Sequence, residues 1–310
     1  MRLLVVGGTY FLGKAFMELC DNGENEILLL NRGNRPLQLK YADKVKHMQM
    51  DRHDHEQLLK LGELLKEAPV DAVVDFCAYE AGDIRSIMEI LPKGTKQYLF
   101  VSTCDVYRRG SGAELDEKAE LEERSFPGQE GAYISGKVAL ERELPECSAR
   151  YGIAYTVLRP TIIYGPDNYA PREGIYFHWI TKAGQILYPE NASGTFQMVY
   201  VKDVAKCILS CLCREECYGQ AYNICGDGVL DYKSFTDCLE KACSQRIERL
   251  SVSVEDVMER GIPLPFPLDR AESERYLGEK SKALGVKYTS LKEGLKETFL
   301  WFCERMVTGV

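Results

Sequence analysis

Nothing in the sequence approaches the roughly 20 consecutive apolar residues that a spanning helix needs, so a helical membrane protein is excluded. The apolar opening Leu3-Leu4-Val5-Val6 is too short for the hydrophobic segment of a secretion signal and runs straight into glycines, so a cytoplasmic location is the expectation. A basic excess is missing too. Lys and Arg number 39 against 47 Asp and Glu, a net charge of -8. A binder of nucleic-acid phosphates carries the opposite balance on at least one face, so a nucleic-acid partner is not expected. There is no internal repeat, low-complexity tract or flexible linker. The paired C-x-x-C ligands of zinc ribbons are absent, although the chain has 12 cysteines. Scattered through a long chain with no export signal, such thiols stay reduced. The tightest group is Cys207, Cys211, Cys213 and Cys217, and its segment Ala205–Leu212 reads as a buried helix. Free cysteine as a small core residue is the expectation there, and no metal site is expected.

What is present is ordinary in bulk and patterned in detail. Hydrophobic residues make up 45% and charged residues 28% of 310 residues, a soluble globular balance with about two domains' worth of chain. Apolar runs at Arg2–Val6, Glu26–Leu30, Val45–Met50, Asp71–Phe76 and Gln97–Ser102 read as strands. Helical periodicity separates them at Phe11–Cys20, Gln57–Glu67 and Asp83–Leu91. Alternation of this kind predicts an α/β fold, a Rossmann doubly wound parallel sheet. A long helix over Ala132–Ala149, a strand over Ala154–Leu158, a helix over Val204–Leu212 and a late strand over Gln220–Ile224 extend it. From Asp231 on, charged amphipathic helices and Ile262-Pro263-Leu264-Pro265-Phe266-Pro267 predict a smaller C-terminal substrate lobe over the carboxyl ends of the strands. The division expected is 1–166 plus about 197–227 for the sheet domain, and about 167–196 plus 228–310 for the lobe.

The first strand runs into Gly7-Gly8-Thr9-Tyr10-Phe11-Leu12-Gly13, which opens a helix. Glycine is needed where backbone turns tightly against a pyrophosphate, and the helix N-terminus supplies N–H groups and positive dipole. Gly7 and Gly13 fit the pattern G-x-x-G-x-x-G; Tyr10 takes the middle place. The alternative is a plain tight turn. After the second strand, Asn31 stands where an NAD site places an acid on the ribose, while Arg32 and Arg35 suit a 2′-phosphate, favouring NADP over NAD. The alternative is a solvated basic turn. Asp51 and Arg52 follow the third strand, beside the expected adenine. His53 and His55 flank Asp54, whose simpler role is to cap the next helix.

The sharpest constellation joins Tyr133-Ile134-Ser135-Gly136-Lys137 to Ser102-Thr103-Cys104-Asp105. Tyr133 and Lys137, four apart, share one helical face. An adjacent ammonium favours the phenolate and would lower the tyrosine pKa from about 10. Tyr133 would then exchange a proton with a carbinol, with Thr103 hydrogen-bonding the same oxygen. The alternative is a surface pair on a helix. Arg172 and Tyr176, in a polar-aromatic stretch, are candidate substrate contacts.

These motifs together resemble the extended short-chain dehydrogenases/reductases of the NAD-dependent epimerase/dehydratase family, from Arg2 to about Asn223. The resemblance implies an NAD(P)-dependent oxidoreductase. It implies that Gly7, Gly8, Thr9, Tyr10, Phe11, Leu12 and Gly13 hold the pyrophosphate, and Asp51 and Arg52 the adenine. It puts Cys77, Ala78 and Tyr79 beside the cofactor ribose, Ser102 in the cofactor site, and Pro160, Thr161, Ile162 and Ile163 near the nicotinamide. Thr103, Tyr133 and Lys137 match the catalytic Ser/Thr, Tyr and Lys. Asp105 matches one of the two acids of sugar dehydratases, Cys104 replacing the other; a polar strand end is the alternative. Val201-Lys202-Asp203-Val204-Ala205 resembles a further, structural signature. Where nucleotide-sugar epimerases carry an asparagine and an arginine for the diphosphate, this chain has Ile162 and Phe196. The pattern is closer to an atypical branch that includes chloroplast RNA-binding relatives and bacterial reductase-like proteins. Three functions follow: reversible hydride transfer at a carbinol carbon, sugar or nucleotide-sugar epimerisation, or non-catalytic dinucleotide or RNA binding. The resemblance also implies a small-molecule substrate and a homodimer through Asp83–Leu91 and Ala132–Ala149.

Overall fold

The computed structural model describes residues 1–35, 37–110, 113–226 and 228–308. Seven segments form the main sheet: β1 (Arg2–Val6), β2 (Glu26–Asn31), β3 (Val45–Gln49), β4 (Ala72–Asp75), β5 (Gln97–Val101), β6 (Ala154–Pro160) and β7 (Gln220–Ile224). They pair in the order β7-β6-β5-β4-β1-β2-β3, every pair parallel. Side chains alternate between faces, so Leu3 and Val5 enter one apolar cluster while Leu4 and Val6 enter another. With helices on both faces, each central strand must be apolar throughout. The strand order reverses between β1 and β4, which opens a crevice at their carboxyl ends.

The longer helices among the described residues are α1 (Phe11–Cys20), α2 (His55–Glu67), α3 (Asp83–Ile90), α4 (Gly128–Tyr151), α5 (Glu173–Ala183), α6 (Val201–Cys211), α7 (Tyr232–Cys243) and a C-terminal helix over Leu291–Thr308. Caps set some of the ends. Asp54 accepts the Gln57 N–H at 3.1 Å, so α2 starts at His55. Expected over 132–149, α4 is longer at both ends and stops where Gly152 takes a left-handed φ of 69° and bonds back to Ser148. Asp231 and Ser234 form a capping box that starts α7. Cys207 and Cys211 lie buried on α6, and the cysteines are free thiols.

Short parallel strand pairs carry the rest: Ile162–Tyr164 with Met198–Tyr200, Gln185–Pro189 with Glu248–Val252, and Glu114–Leu115 with Arg275–Tyr276. Phe266, from the proline-rich stretch, stacks on Phe196 at 4.0 Å and packs edge-on against Phe235. One apolar cluster runs continuously from β1 and α1 through α5, α6 and α7 to Leu295. The C-terminal elements therefore share a core with one face of the sheet. The expected boundary at Asp227 and the last residue, Val310, lie outside the described residues. Among those described, no helix is long and apolar enough to cross a membrane.

Candidate active site

The glycine turn sits at the end of β1, in the crevice. Gly7 and Gly8 have φ of 99° and 86°, a region that favours glycine. A Cβ on Gly13 would stand 2.6 Å from the Gly8 Cα, so α1 can pack onto the turn only because that side chain is missing. No side chain caps α1 and no acid lies in its first turn, which leaves the N–H groups and positive dipole of the helix for an anion. Tyr10 has an extended φ of -144°, so the backbone needs no glycine there. Its ring carries the Arg35 guanidinium at 3.6 Å and meets the Tyr169 ring at 5.4 Å. Phe11 instead takes the left-handed φ, at 43°.

Beyond β2, Asn31 Oδ1 accepts the Gly33 N–H at 2.6 Å, while its amide nitrogen is buried without a partner. That orphan donor, the uncapped helix and the Gly13 cradle together fit the diphosphate and ribose of a dinucleotide. Arg32 is exposed, whereas Arg35 is stacked on Tyr10. Asp51 is exposed and its carboxylate accepts the His53 N–H. Arg52 corrects the sequence expectation. Its side chain is 7% exposed and turned inward, with Nη1 on the Asp75 carboxylate at 2.9 and 3.1 Å and Nη2 on the Asp83 carbonyl at 2.6 Å. That guanidinium is not placed to meet adenine.

The loop after β4 brings Ala78 and Tyr79 to the cleft. Lys137, buried on α4, donates to the Ala78 carbonyl at 2.8 Å and the Val101 carbonyl at 2.9 Å. Burial lowers its pKa to about 8, with Asp75 opposing. Tyr133 is 36% exposed, 5.7 Å from ring centroid to the Lys137 ammonium. The expected pKa effect on Tyr133 is reversed. Burial pushes the phenol above its ordinary value, Asp105 adds to the rise, and the Thr103 hydroxyl and Arg172 oppose it. Lys137 donates to two carbonyls and not to the phenol oxygen.

Thr103 donates to Asp105 Oδ2 at 3.0 Å and accepts the Asp105 N–H at 3.2 Å. Arg109 Nη2 lies 3.5 Å from the other Asp105 oxygen. Thr103, Asp105, Tyr133 and Arg172 thus meet electrostatically in one place, beside Lys137. Ser102 does not join them, because its hydroxyl donates to Glu141 at 2.6 Å inside the protein. Tyr176 is also corrected: fully buried, it packs edge-on against Phe235 and Trp179 and belongs to the core. Thr161 bonds to the Ile224 carbonyl, and Ile162–Tyr164 forms a short strand, with Pro160 ending β6.

Sequence reading missed Arg109, Tyr169 and the acids Asp75, Asp83 and Glu143. Arg109 lies four residues beyond Asp105, a spacing that pairs charges. Tyr169 gave no signal, because only the fold brings its loop onto the glycine turn.

Residues 85–225 match the model of the NAD dependent epimerase/dehydratase family. The chain is 28% identical over 255 residues to the chloroplast stem-loop binding protein of 41 kDa b from Arabidopsis thaliana, covering 79% of this chain and 62% of that one. It therefore spans less than two thirds of that relative. A dTDP-glucose 4,6-dehydratase from Bacillus anthracis, in complex with NAD, superposes with a TM-score of 0.76 at 19% identity over 99% of this chain and 98% of that one. A UDP-glucose 4-epimerase from Thermotoga maritima, with UDP-glucose, gives 0.76 at 19% over 99% and 100%. At that identity the likeness is one of fold.

Proposed function

We propose that this chain, whose residues 85–225 are a segment of the NAD dependent epimerase/dehydratase family, is a cytoplasmic NAD(P)-dependent oxidoreductase acting reversibly on a carbinol carbon of a sugar-like substrate. The observation that carries the reading is the meeting of Thr103, Asp105, Tyr133 and Lys137 beside the uncapped glycine turn. Gly7, Gly8, Thr9, Phe11, Leu12 and Gly13 would hold the pyrophosphate, with Asn31 and Arg32 at the adenosine ribose. Exposed Arg32 supports a preference for NADP.

The nicotinamide, when bound, supplies hydride exchange with the carbinol carbon. Tyr133 holds and moves the proton at the carbinol oxygen. The phenol is protonated at neutral pH, the form that donates to a carbonyl oxygen in the reductive direction, and its raised pKa makes it a weaker acid than an ordinary tyrosine until substrate and cofactor bind. Thr103 hydrogen-bonds the same oxygen after turning its O–H away from Asp105. Lys137 has two of its three ammonium hydrogens on carbonyls and offers the third to the ribose. Asp105, partly exposed and linked to Thr103, is an additional acid/base, and Arg172 is the substrate contact from the start of α5. A homodimer through α3 and α4 is part of the proposal.

Epimerisation is the second reading, supported by the match of residues 85–225 to the NAD dependent epimerase/dehydratase family model. Incubation with NAD or NADP and a panel of nucleoside-diphosphate sugars separates the two. Net change in nicotinamide absorbance supports the reductase, and a new sugar isomer without net change supports the epimerase. Neither product with any member of a panel widened to simple sugars and ketones refutes both. Stem-loop binding, which the plant relative's name reports, is opposed by the net charge of -8. Filter binding of structured RNA that weakens steeply with salt would restore it.

A further inference from the structure

We propose that Arg52 is a positioning residue for Lys137, acting through the loop at 76–82 that it holds in place. The path runs through hydrogen bonds from β4 to α4. Asp75 Oδ1 accepts the Cys77 N–H at 2.8 Å, gripping the start of the loop. Asp83 Oδ2 accepts the Tyr79 and Glu80 N–H groups at 2.8 and 3.1 Å, gripping its middle. Arg52 joins the two carboxylates: Nη1 forks onto Asp75, Nη2 donates to the Asp83 carbonyl, and Nε lies 3.5 Å from Asp83 Oδ1. On the far side Glu143 accepts the Gly82 and Arg85 N–H groups at 2.8 and 2.9 Å. Glu143 belongs to α4, the helix that carries Tyr133 and Lys137.

Ala78 supplies the loop carbonyl to which Lys137 donates, and it stands between the gripped amides of Cys77 and Tyr79. Its carbonyl therefore presents itself to the lysine at a position fixed by Asp75 and Asp83, and Arg52 supplies the cation that balances those two carboxylates in the interior, alongside the Tyr98 hydroxyl on Asp75 and the His53 ring on Asp83. A buried ion group of this kind is poor evidence of stability, because well-packed apolar residues often serve as well. Apolar residues could not accept three backbone N–H groups. What the triad provides is the shape of the loop.

The groups that face Lys137 define how it should respond. Asp75 and Arg52 stand behind the loop, Cys77 and Tyr79 lie on it, and Glu141 and Tyr133 sit on its own helix. Asp75 favours the ammonium and Arg52 opposes it. Removing Arg52 strips the opposing charge and loosens the loop that excludes water, and both changes raise the lysine's titration midpoint.

The experiment is an NMR titration of full-length protein labelled with 13C-lysine, following the Lys137 Cε resonance identified with a Lys137→Arg variant. Wild-type protein is expected to titrate near the value of about 8 that burial sets. Arg52→Met is expected to move that midpoint up by about one pH unit or more. The same variant should weaken NADH, read by nicotinamide fluorescence, by about tenfold. Arg52→Lys keeps the charge without the fork, and should give a smaller shift in the same direction. An unmoved midpoint in folded Arg52→Met overturns the inference; should that variant fail to fold, an unmoved midpoint in Arg52→Lys overturns it. The NADH arm rests on the proposed function, whereas the lysine resonance does not. If wild-type protein binds no nicotinamide, the functional reading fails and the resonance alone decides this one.

Discussion

Gly13→Ala is the substitution whose cost can be worked most directly from the structure. The added methyl would sit 2.6 Å from the Gly8 Cα, 2.7 Å from its nitrogen and 3.1 Å from its carbonyl carbon. All three are backbone atoms, so no rotamer change relieves the clash. Either α1 lifts from the turn or the turn itself opens. Overpacking in a closed interior costs about 1–3 kcal/mol, and an obstacle made of backbone belongs at the upper end. The same displacement moves the N–H groups at the start of α1 away from the pyrophosphate. Loss of about 1.4 kcal/mol of that interaction weakens a dinucleotide tenfold. Gly174→Ala is the matched control. It lies in α5 with nothing within 4 Å of the added carbon, so it should stabilise by about 0.5 kcal/mol. The assays are urea denaturation and NADH titration by fluorescence. A Gly13→Ala protein with wild-type stability and wild-type NADH affinity would refute the close-packing argument and the placement of the pyrophosphate together.

Three further expectations concern side chains. Tyr133→Phe should abolish turnover on the substrate found in the sugar screen while leaving the NADH dissociation constant within about twofold, since the hydroxyl serves the substrate oxygen; unchanged turnover contradicts its role. Arg159→Met leaves Glu141 buried without the guanidinium that now meets both its oxygens, and should cost about 3–5 kcal/mol in denaturant unfolding, most of it recovered in Arg159→Met/Glu141→Leu. Lys137 should imprint a pH dependence on stability. Its folded pKa of about 8 lies below the ordinary lysine value of 10.5, so between these values the unfolded chain binds the proton and the folded one does not. Stability from this group therefore rises with pH across that window, and the Lys137→Met variant should lack that component when its unfolding curves are compared with wild type.

The middle of the sheet was legible because its central strands are buried on both faces, and such strands are apolar nearly throughout. Leu3-Leu4-Val5-Val6 and Ala72-Val73-Val74 need no partner to be read this way. The glycine turn and the Tyr133–Lys137 pair were legible for another reason: their spacing is local, set by one turn and by one helical face. Arg52 was misread because its neighbours in sequence face the cleft, while its own partners, Asp75 and Asp83, lie on other elements. Tyr176 was misread because an aromatic in an amphipathic stretch gives no sign of which face is covered, and here Phe235 and Phe266 cover it. The pKa of Tyr133 depends on burial and on Asp105, a balance that no four-residue spacing contains.

The central claim is that the crevice between β1 and β4 holds a nicotinamide dinucleotide, and titration of the purified protein with NADPH and with NADH tests it most directly. The account predicts saturable binding of both, tighter for NADPH, with Arg32→Ala erasing the difference. Binding of neither cofactor would contradict it, whatever the fold resembles.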